Sequence, residues 1–206
     1  MKIIDLTHTF TNDMPAYPGD PKSTLEQVAF IEKDTFNDHE LTTVMHVGTH
    51  MDAPLHMIAS GKTMDQIDPE RFIGKGVLVD VRGRDKIDAS VLENIQIDEG
   101  SIVLLYTGFG EKYRSEEYFK DYPELTEDFA KRIIEFEVKM VGMDIFGPDD
   151  KPWIVHKALL GNEILILENL TNLDQLLDIK DFEIIALPIK LQADAAPVRV
   201  IAKILD

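Results

Sequence analysis

The sequence predicts an α/β fold with a mixed sheet, formed by residues 1–206 as a single domain. Short β-branched apolar runs alternate along the chain with amphipathic stretches of helical period, which is typical of α/β proteins. The 206 residues are the length of one ordinary domain. Prolines and glycines punctuate the runs, and no repeat or linker-like tract separates them.

Seven apolar runs are predicted to form strands. Their short length and their Val, Ile and Leu content suit strands that are buried on both faces. They are residues 3–6, 77–81, 102–106, 138–143, 164–167, 184–189 and 198–204.

Two stretches predict helices. The first begins after Thr126, a good N-cap, and continues through Phe129 and Ile133 at helical spacing, with acidic residues in its first turn. The second covers residues 153–160, with Gly161 expected just beyond its end as the residue that stops the helix. The segment 15–21, PAYPGDP, follows the predicted N-terminal strand. Its three prolines predict an ordered loop of the kind that lines functional sites.

Composition and charge exclude several classes of protein. The 21 Lys+Arg against 38 Asp+Glu give a formal net charge of −17, so we expect neither nucleic acid nor a membrane surface as partner. The absence of cysteine excludes a disulfide scaffold, a thiolate zinc site and a cysteine nucleophile. The sequence has no apolar segment of the roughly 18 residues that span a bilayer and no signal-peptide pattern, and a cytoplasmic location is therefore expected.

Three of the six histidines lie in the segment 45–57, MHVGTHMDAPLHM. His46, His50, Asp52 and His56 thereby place three imidazoles and a carboxylate within eleven residues. Without thiolates, zinc and related divalent ions prefer imidazole nitrogen and carboxylate oxygen, and three protein ligands plus a water are the arrangement of a catalytic site. The cluster predicts a divalent metal site.

This segment is predicted to be extended although His46 and His50 have the i, i+4 spacing of helical zinc ligands. Gly48, a following proline and β-branched neighbours all disfavour a helix. We expect a strand that begins near Leu41 and turns at Gly48, with His50 and Asp52 on the loop that follows. Because residues two apart in an extended chain face the same side, these side chains would point into one cleft.

The pattern H-x-G-T-H-x-D-x-P-x-H, at residues 46–56, resembles the signature of the metal-dependent cyclase-like hydrolase family, which contains bacterial kynurenine formamidase. Further segments look like landmarks of that family, in family order and over essentially the full chain. They are DLTH at 5–8, YPGD at 17–20, His156 with LLG at 159–161, ENL at 168–170, ALP at 186–188 and APVR at 196–199. The resemblance implies a barrel-like β core with a few flanking helices.

By this resemblance, His46, His50 and Asp52 hold one zinc ion, and Asp52 also reaches a second zinc ion held by His156 and Glu168. A carboxylate has two oxygens and can bridge two cations roughly 3.5–4 Å apart. Two Zn²⁺ per subunit are therefore expected, with Mn²⁺ as the alternative metal. Read without the resemblance, His156 is a solvated helix residue and Glu168 an ordinary acid at the end of a strand.

The histidine that matches His56 acts in the family as general acid/base. The alternative role, a fourth metal ligand, would close the site and make it structural. Metal coordination lowers the pKa of water to about 7. An imidazole can both accept and donate a proton near neutral pH, so His56 can take the proton from that water and return it to the leaving nitrogen.

Tyr17 occupies the position where the formamidases carry tryptophan, and its flat ring is a candidate to stack on an aromatic substrate. Trp153 is either a second aromatic wall or a residue of the core or of a dimer contact. Thr49 and Asp5 are candidates to accept a ring N–H from the ligand histidines. His8 is expected to have a structural or supporting role.

The resemblance implies a zinc-dependent amide hydrolase acting on a small aromatic amide, with N-formyl-L-kynurenine, cleaved to L-kynurenine and formate in tryptophan degradation, as the best single substrate. A hydrolase or cyclase of the same chemistry acting on a cyclic amide, a lactone or another ring is the alternative. From other classes, a metal-binding protein without catalysis and an acidic interaction module remain open. Family members are commonly homodimers or larger, so a homo-oligomer is expected.

Overall fold

The computed structural model describes residues 1–205 and is built around a mixed sheet. The strands are β1 (Lys2–Asp5), β2 (Thr24–Ala29), β3 (Asp38–Thr42), β4 (His50–Asp52), β5 (Ile73–Asp80), β6 (Lys86–Ile87), β7 (Ile102–Tyr106), β8 (Glu124–Leu125), β9 (Met140–Met143), β10 (Leu165–Glu168), β11 (Phe182–Pro188) and β12 (Ala195–Ile204). The helices are α1 (Ile31–Asp34), α2 (Glu127–Glu135) and α3 (Ile154–Gly161).

Seven strands close into a barrel-like sheet. They follow the order β12, β11, β5, β7, β9, β10 and β4, and β4 pairs again with β12. Strand β1 pairs with residues 201–204 of β12, beyond the segment that pairs with β4. The pairs from β5 through β7 and β9 to β10 are parallel, whereas the pairs of β10 with β4, β4 with β12, β12 with β11 and β11 with β5 are antiparallel. The predicted α/β class with a mixed, barrel-like β core is thus confirmed.

The central strands are buried on both faces, as their continuous apolar runs predicted. In β7, Leu104 belongs to the core inside the closed sheet, whereas Val103 and Leu105 belong to a second core under α2 and α3. Alternate residues of one strand therefore pack into two different cores.

Both predicted helices are present, with small differences at their ends. Helix α2 has Thr126 as its N-cap and buries Phe129 and Ile133, as expected. Helix α3 includes Gly161 as its last residue and has Asn162 as its C-cap, so the predicted end was one residue early. Within residues 1–205, no helix has the length and hydropathy needed to span a membrane.

The pattern of apolar runs missed the pair β2 and β3. Apart from Ala29 and the half-buried Leu25, residues 24–42 are exposed, and the few apolar residues of these two strands form neither a continuous run nor a strict alternation with polar ones. We call residues 23–43 the arm. It contains β2, α1 and β3 and joins the 15–21 loop to the histidine-rich segment.

Candidate metal centre

The histidine-rich segment folds differently from the prediction. Strand β3 ends at Thr42, residues 43–49 are irregular, and His50–Asp52 forms strand β4 rather than a loop. The reason is tertiary, because β4 is paired on one side with β10 and on the other with β12. The turn at Gly48 is confirmed: its φ is +71°, and a Cβ there would lie 2.7 Å from the Met14 methyl group.

All five predicted metal ligands converge at the end of β4. His50 lies opposite Glu168 in the pairing of β4 with β10, and its Nε2 is 3.3 Å from Glu168 Oε2 and 3.5 Å from Asp52 Oδ1. His46 Nδ1 is 2.9 Å from Asp52 Oδ1. From the start of α3, His156 Nε2 reaches to 3.5 Å from Glu168 Oε1.

The centre of this group fits a divalent cation. Asp52 is fully buried, and neither of its oxygens accepts a hydrogen bond, nor does His50 Nε2 have a hydrogen-bond partner. A buried carboxylate without hydrogen bonds is costly unless a cation neutralises it. His50 donates from Nδ1 to the Gly48 carbonyl at 2.9 Å, which leaves the lone pair of Nε2 facing the two carboxylates. This imidazole and carboxylate donor set suits zinc or manganese.

The pKa values reflect the same concentration of negative charge. Burial alone lowers the pKa of His46, but Asp52 and Asp194 raise it to about 11. Burial likewise opposes the charge on His156, whose pKa Asp149 and Glu168 raise to about 9. Burial would raise the pKa of Asp52, yet the neighbouring imidazoles, His46 foremost, hold it far below its usual range. Protons and metal ions therefore compete for these imidazoles, and metal affinity is expected to fall as the pH falls.

Two aspartates that the sequence reasoning missed orient the histidine rings. Asp149 Oδ1 accepts from His156 Nδ1 at 2.6 Å, and its carboxylate also accepts the backbone N–H groups of Val155 and His156 at the start of α3. Asp194 Oδ2 accepts from His46 Nε2 at 2.9 Å and from His56 Nδ1 at 3.3 Å. The hydrogen bond from His46 is the main reason why the pKa of Asp194 is held well below its usual range.

The two residues proposed for that orienting role do not contact the ligand rings. Asp5 pairs with Arg199 on the surface, and Thr49 donates to the Asn169 carbonyl while accepting from the backbone N–H of His8. The sequence offered no signal for Asp149 and Asp194, because both are ordinary members of a set of 38 acidic residues.

His56 lies on a short 3-10 turn, Pro54–His56, that directly follows β4. Its ring centroid is 4.1 Å from that of His46, and 24% of its side chain is exposed. His56 is thus as exposed as His46, and both rings face the pocket. It also falls in a group with His46 and Asp52 whose donor atoms lie within 4.8 Å of one another, so the geometry is compatible with a base and with a fourth ligand.

A pocket of about 510 Å³ opens onto the metal centre. Its wall includes His46, His56, His156 and Glu168, together with five aromatic side chains: Tyr17, Phe119, Tyr122, Phe146 and Trp153. Tyr17, which is 43% exposed, packs its ring against Phe119 and Phe146. The wall position of Trp153 agrees with the aromatic-wall alternative. Phe119, Tyr122 and Phe146 were missed, because they are far apart in sequence and share no motif.

His8, for which a structural or supporting role was expected, contacts none of the candidate ligand rings and has the structural role. The His8 ring stacks on Tyr113 with centroids 3.8 Å apart and makes no hydrogen bond through its buried Nε2. Burial, followed by the charge of Arg114, lowers the pKa of His8 to about 4. His8 is therefore a neutral packing residue.

Comparison with known proteins agrees with the geometry. Residues 4–150 match the family model described as "Putative cyclase". The chain is 33% identical over 205 residues to a kynurenine formamidase of Bacillus cereus, with 97% of this chain and 96% of that protein covered.

Solved structures give the same result. Isatin hydrolase A from Labrenzia aggregata superposes with a TM-score of 0.89 at 25% identity, covering 100% of this chain and 94% of that chain. A potential metal-dependent hydrolase with cyclase activity superposes with a TM-score of 0.82 at 27% identity, covering 100% of this chain and 98% of that chain. The chain belongs to the cyclase family, as its histidine motif indicated, and is a hydrolase of that family.

Proposed function

We propose that this protein is a divalent-metal-dependent amide hydrolase, with zinc as the metal and N-formyl-L-kynurenine as the first substrate to test. The observation that carries the proposal is the fully buried Asp52 carboxylate, which accepts no hydrogen bond and is surrounded by imidazoles at the base of an aromatic pocket. The full-length similarity to a kynurenine formamidase supports the choice of substrate.

His46, His50 and Asp52 would hold one ion, and His156 and Glu168 would hold a second, with Asp52 shared between them. When bound, such ions act as Lewis acids on a carbonyl oxygen and lower the pKa of water. The chain contributes rigid placement of the donors, because four of the five lie on β4, on β10 or at the start of α3.

His56 is proposed to move the proton. It takes one from the water whose oxygen attacks the formyl carbon, and it returns that proton to the aromatic nitrogen as the carbon–nitrogen bond breaks. The products are formic acid, which releases a proton to solvent to give formate, and the free aromatic amine, so the OH of one water is on the acid and its other hydrogen is on the amine. Positioned proton transfer of this kind is typically worth 10²–10⁴-fold in rate.

The aromatic wall would orient the substrate. Tyr17, Phe146 and Trp153 offer flat apolar faces next to the metal centre, and aromatic rings bind such faces by offset or edge contacts. A tyrosine at position 17 keeps this capacity.

A cyclic amide is the second candidate substrate. The observation in its favour is the close superposition with isatin hydrolase A. Ring opening needs the same attack by water and the same return of a proton to nitrogen, so the site chemistry alone does not separate the two candidates.

One experiment tests the proposal. The purified protein is analysed for bound metal and assayed with N-formyl-L-kynurenine, isatin and a simple lactone, before and after treatment with a chelator. Amide hydrolysis that is lost with the metal and restored by zinc is expected. No hydrolysis of either amide at full metal loading would reject the proposal. Absence of lactone hydrolysis as well would leave a protein that only binds metal.

We also propose that two copies associate through the arm, in keeping with the homodimers that the family resemblance implies. Five large apolar side chains of the arm are between 42% and 58% exposed: Val28, Phe30, Ile31, Phe36 and Leu41. A two-stranded unit is only marginally stable by itself in water, so a covering surface would stabilise it.

The oligomeric state of Ile31→Asp/Phe36→Asp tests this second proposal. A monomer is expected by light scattering where the wild-type protein is a dimer. Because each copy is strongly acidic, dimerisation of the wild type should strengthen with added salt. A wild-type monomer at micromolar concentration would contradict the proposal.

A further inference from the structure

Asp194 contacts two histidines that have different proposed tasks. Its Oδ2 is 2.9 Å from His46 Nε2 and 3.3 Å from His56 Nδ1. The two rings lie side by side, with centroids 4.1 Å apart. One carboxylate oxygen therefore joins a proposed metal ligand to the proposed proton carrier.

The chemistry of this oxygen fixes where each ring carries its hydrogen. An ionised carboxylate only accepts hydrogen bonds, so each ring must present an N–H to it. His46 then carries hydrogen on Nε2, and its Nδ1, which is 2.9 Å from Asp52 Oδ1, is free to offer a lone pair to a metal ion. His56 carries hydrogen on Nδ1, and its Nε2 is free to accept a proton. The two rings are held in opposite tautomers by the same atom.

The backbone around Asp194 is fixed by the closure of the sheet. Its carbonyl accepts from Ala53 N at 2.9 Å, and the carbonyl of the preceding Ala193 accepts from Met64 N at 2.9 Å. The next residue, Ala195, lies opposite Asp52 in the pairing of β12 with β4. The side chain therefore starts from a backbone that is tied to the strand carrying the metal ligands, although 41% of the side chain is exposed.

We propose that Asp194 is a positioning residue that sets the tautomers of His46 and His56 together. The part that concerns His56 rests on the proposed function. The part that concerns His46 rests only on metal binding. Loss of Asp194 should therefore weaken metal binding and slow proton transfer by two separable routes.

The direct test is nitrogen NMR of the ring tautomers in the zinc-loaded protein. The wild type is expected to show the Nδ1–H tautomer for His56, and Asp194→Ala a mixture of both tautomers. Asp194→Asn should lie between them, because its amide oxygen still accepts a hydrogen bond without carrying a charge. Finding His56 as the Nε2–H tautomer in the wild type, or unchanged in Asp194→Ala, would overturn the proposal.

Zinc affinity and kinetics provide the second test. Asp194→Ala should weaken zinc binding about 10–100-fold, the usual effect of removing a partner of a ligand histidine. At saturating zinc it should lower kcat at least tenfold while KM changes little. In a His56→Ala background, Asp194→Ala should no longer affect kcat but should still weaken zinc binding. Equal effects of Asp194→Ala on kcat in both backgrounds would contradict the link through His56.

Asp149 provides the matched control, because His156 is the one histidine whose ring N–H it accepts among the described residues. Asp149→Ala should weaken zinc binding without changing the tautomer of His56. If no amide is hydrolysed, the proposed function fails. The measured tautomers and zinc affinities still decide whether Asp194 sets the tautomers of His46 and His56. If hydrolysis is observed but the tautomers do not respond to Asp194, only the present inference fails.

Discussion

At the scale of single residues, the site depends on buried polar atoms that make no hydrogen bond within the described chain. Asp52 is the extreme case, since both of its oxygens are buried and neither accepts a hydrogen bond. His46 and His56 surround it at the pocket floor and are themselves partly exposed. The buried carboxylate suits a cation, and the two partly exposed rings face the pocket.

Asp52→Asn is expected to abolish the stabilisation of the protein by zinc. Zinc at about 100 times its Kd should raise the free energy of unfolding of the wild type by about 2.7 kcal/mol. The variant should show almost no shift, because the amide has lost the charge that the cation neutralises. Urea unfolding with and without zinc measures this change in the free energy of unfolding for the wild type and for the variant. Glu99→Gln, at an exposed position away from the site, should keep the wild-type shift.

His56→Ala separates the role of base from the role of ligand. If His56 is the base, its removal should lower kcat by about 10²–10⁴-fold and leave the metal content unchanged. Metal analysis after gel filtration, together with the amide assay, measures the two quantities. His39→Ala, on an exposed strand of the arm, controls for the loss of an imidazole. A parallel loss of metal would show that His56 is a ligand.

The buried His8 predicts a pH dependence of stability. Its pKa is about 4 in the folded protein and about 6.5 in the unfolded chain. As the pH falls from 6.5 to 4, the unfolded chain takes up a proton that the folded protein does not, so the free energy of unfolding decreases across this window. In His8→Phe, which keeps a ring against Tyr113, the decrease should be smaller. Unfolding in the presence of a chelator measures it, and parallel curves would refute the prediction.

At the scale of elements, the start of α3 joins helix stability to the metal site. Asp149 accepts two backbone N–H groups at this end of the helix and the Nδ1–H of His156. The free N–H groups of a first turn need acceptors, and an acidic side chain also interacts favourably with the helix dipole. One carboxylate thus holds both the first turn of the helix and the ring of His156, a candidate metal ligand.

Asp149→Ala should therefore show two effects. The lost backbone hydrogen bonds should lower the free energy of unfolding by about 0.5–2 kcal/mol, and zinc affinity should fall about 10–100-fold. Asp149→Asn, which can still accept at the helix start, should lose less stability. Urea unfolding without metal and zinc titration measure the two effects separately. Equal stability losses in both variants would contradict this account.

At the scale of the whole molecule, closure of the sheet brings distant parts of the chain into one site. Strand β4 pairs with β12 near the C-terminus and with β10, so His50, Glu168 and Asp194 become neighbours. The interior of the closed sheet must be filled without overlap for this to happen. Gly76 on β5 leaves the space for the ring of Phe182 on β11, because a Cβ at position 76 would lie 2.0 Å from that ring.

Gly76→Ala is expected to destabilise the protein by about 1–3 kcal/mol, the usual cost of overpacking a core. Adding Phe182→Leu to the same chain should recover part of this loss, although Phe182→Leu alone should be destabilising. Urea denaturation of the two single variants and the double variant gives the coupling energy. Additive losses would show that the two side chains do not compete for space.

The local pattern of the sequence was sufficient to predict much of the fold and to single out three of the candidate metal ligands. Buried strands such as β7 have continuous apolar runs, and the spacing of His46, His50 and Asp52 within one segment restricts where their side chains can be. Both features depend on residues that are near one another in the chain. The family resemblance added His156 and Glu168, whose convergence the structure shows and whose role as ligands stays a prediction.

Only the tertiary structure decided which residues surround the predicted metal ligands. Asp194 is 148 residues from His46, and the aromatic wall combines Tyr17 with Phe119 and Trp153. His50–Asp52 became a strand because it found partners in β10 and β12, against a local sequence that favoured a loop. Hydrogen-bond acceptors and aromatic faces are common along this chain, so only closure of the sheet selects the few that meet at the metal centre.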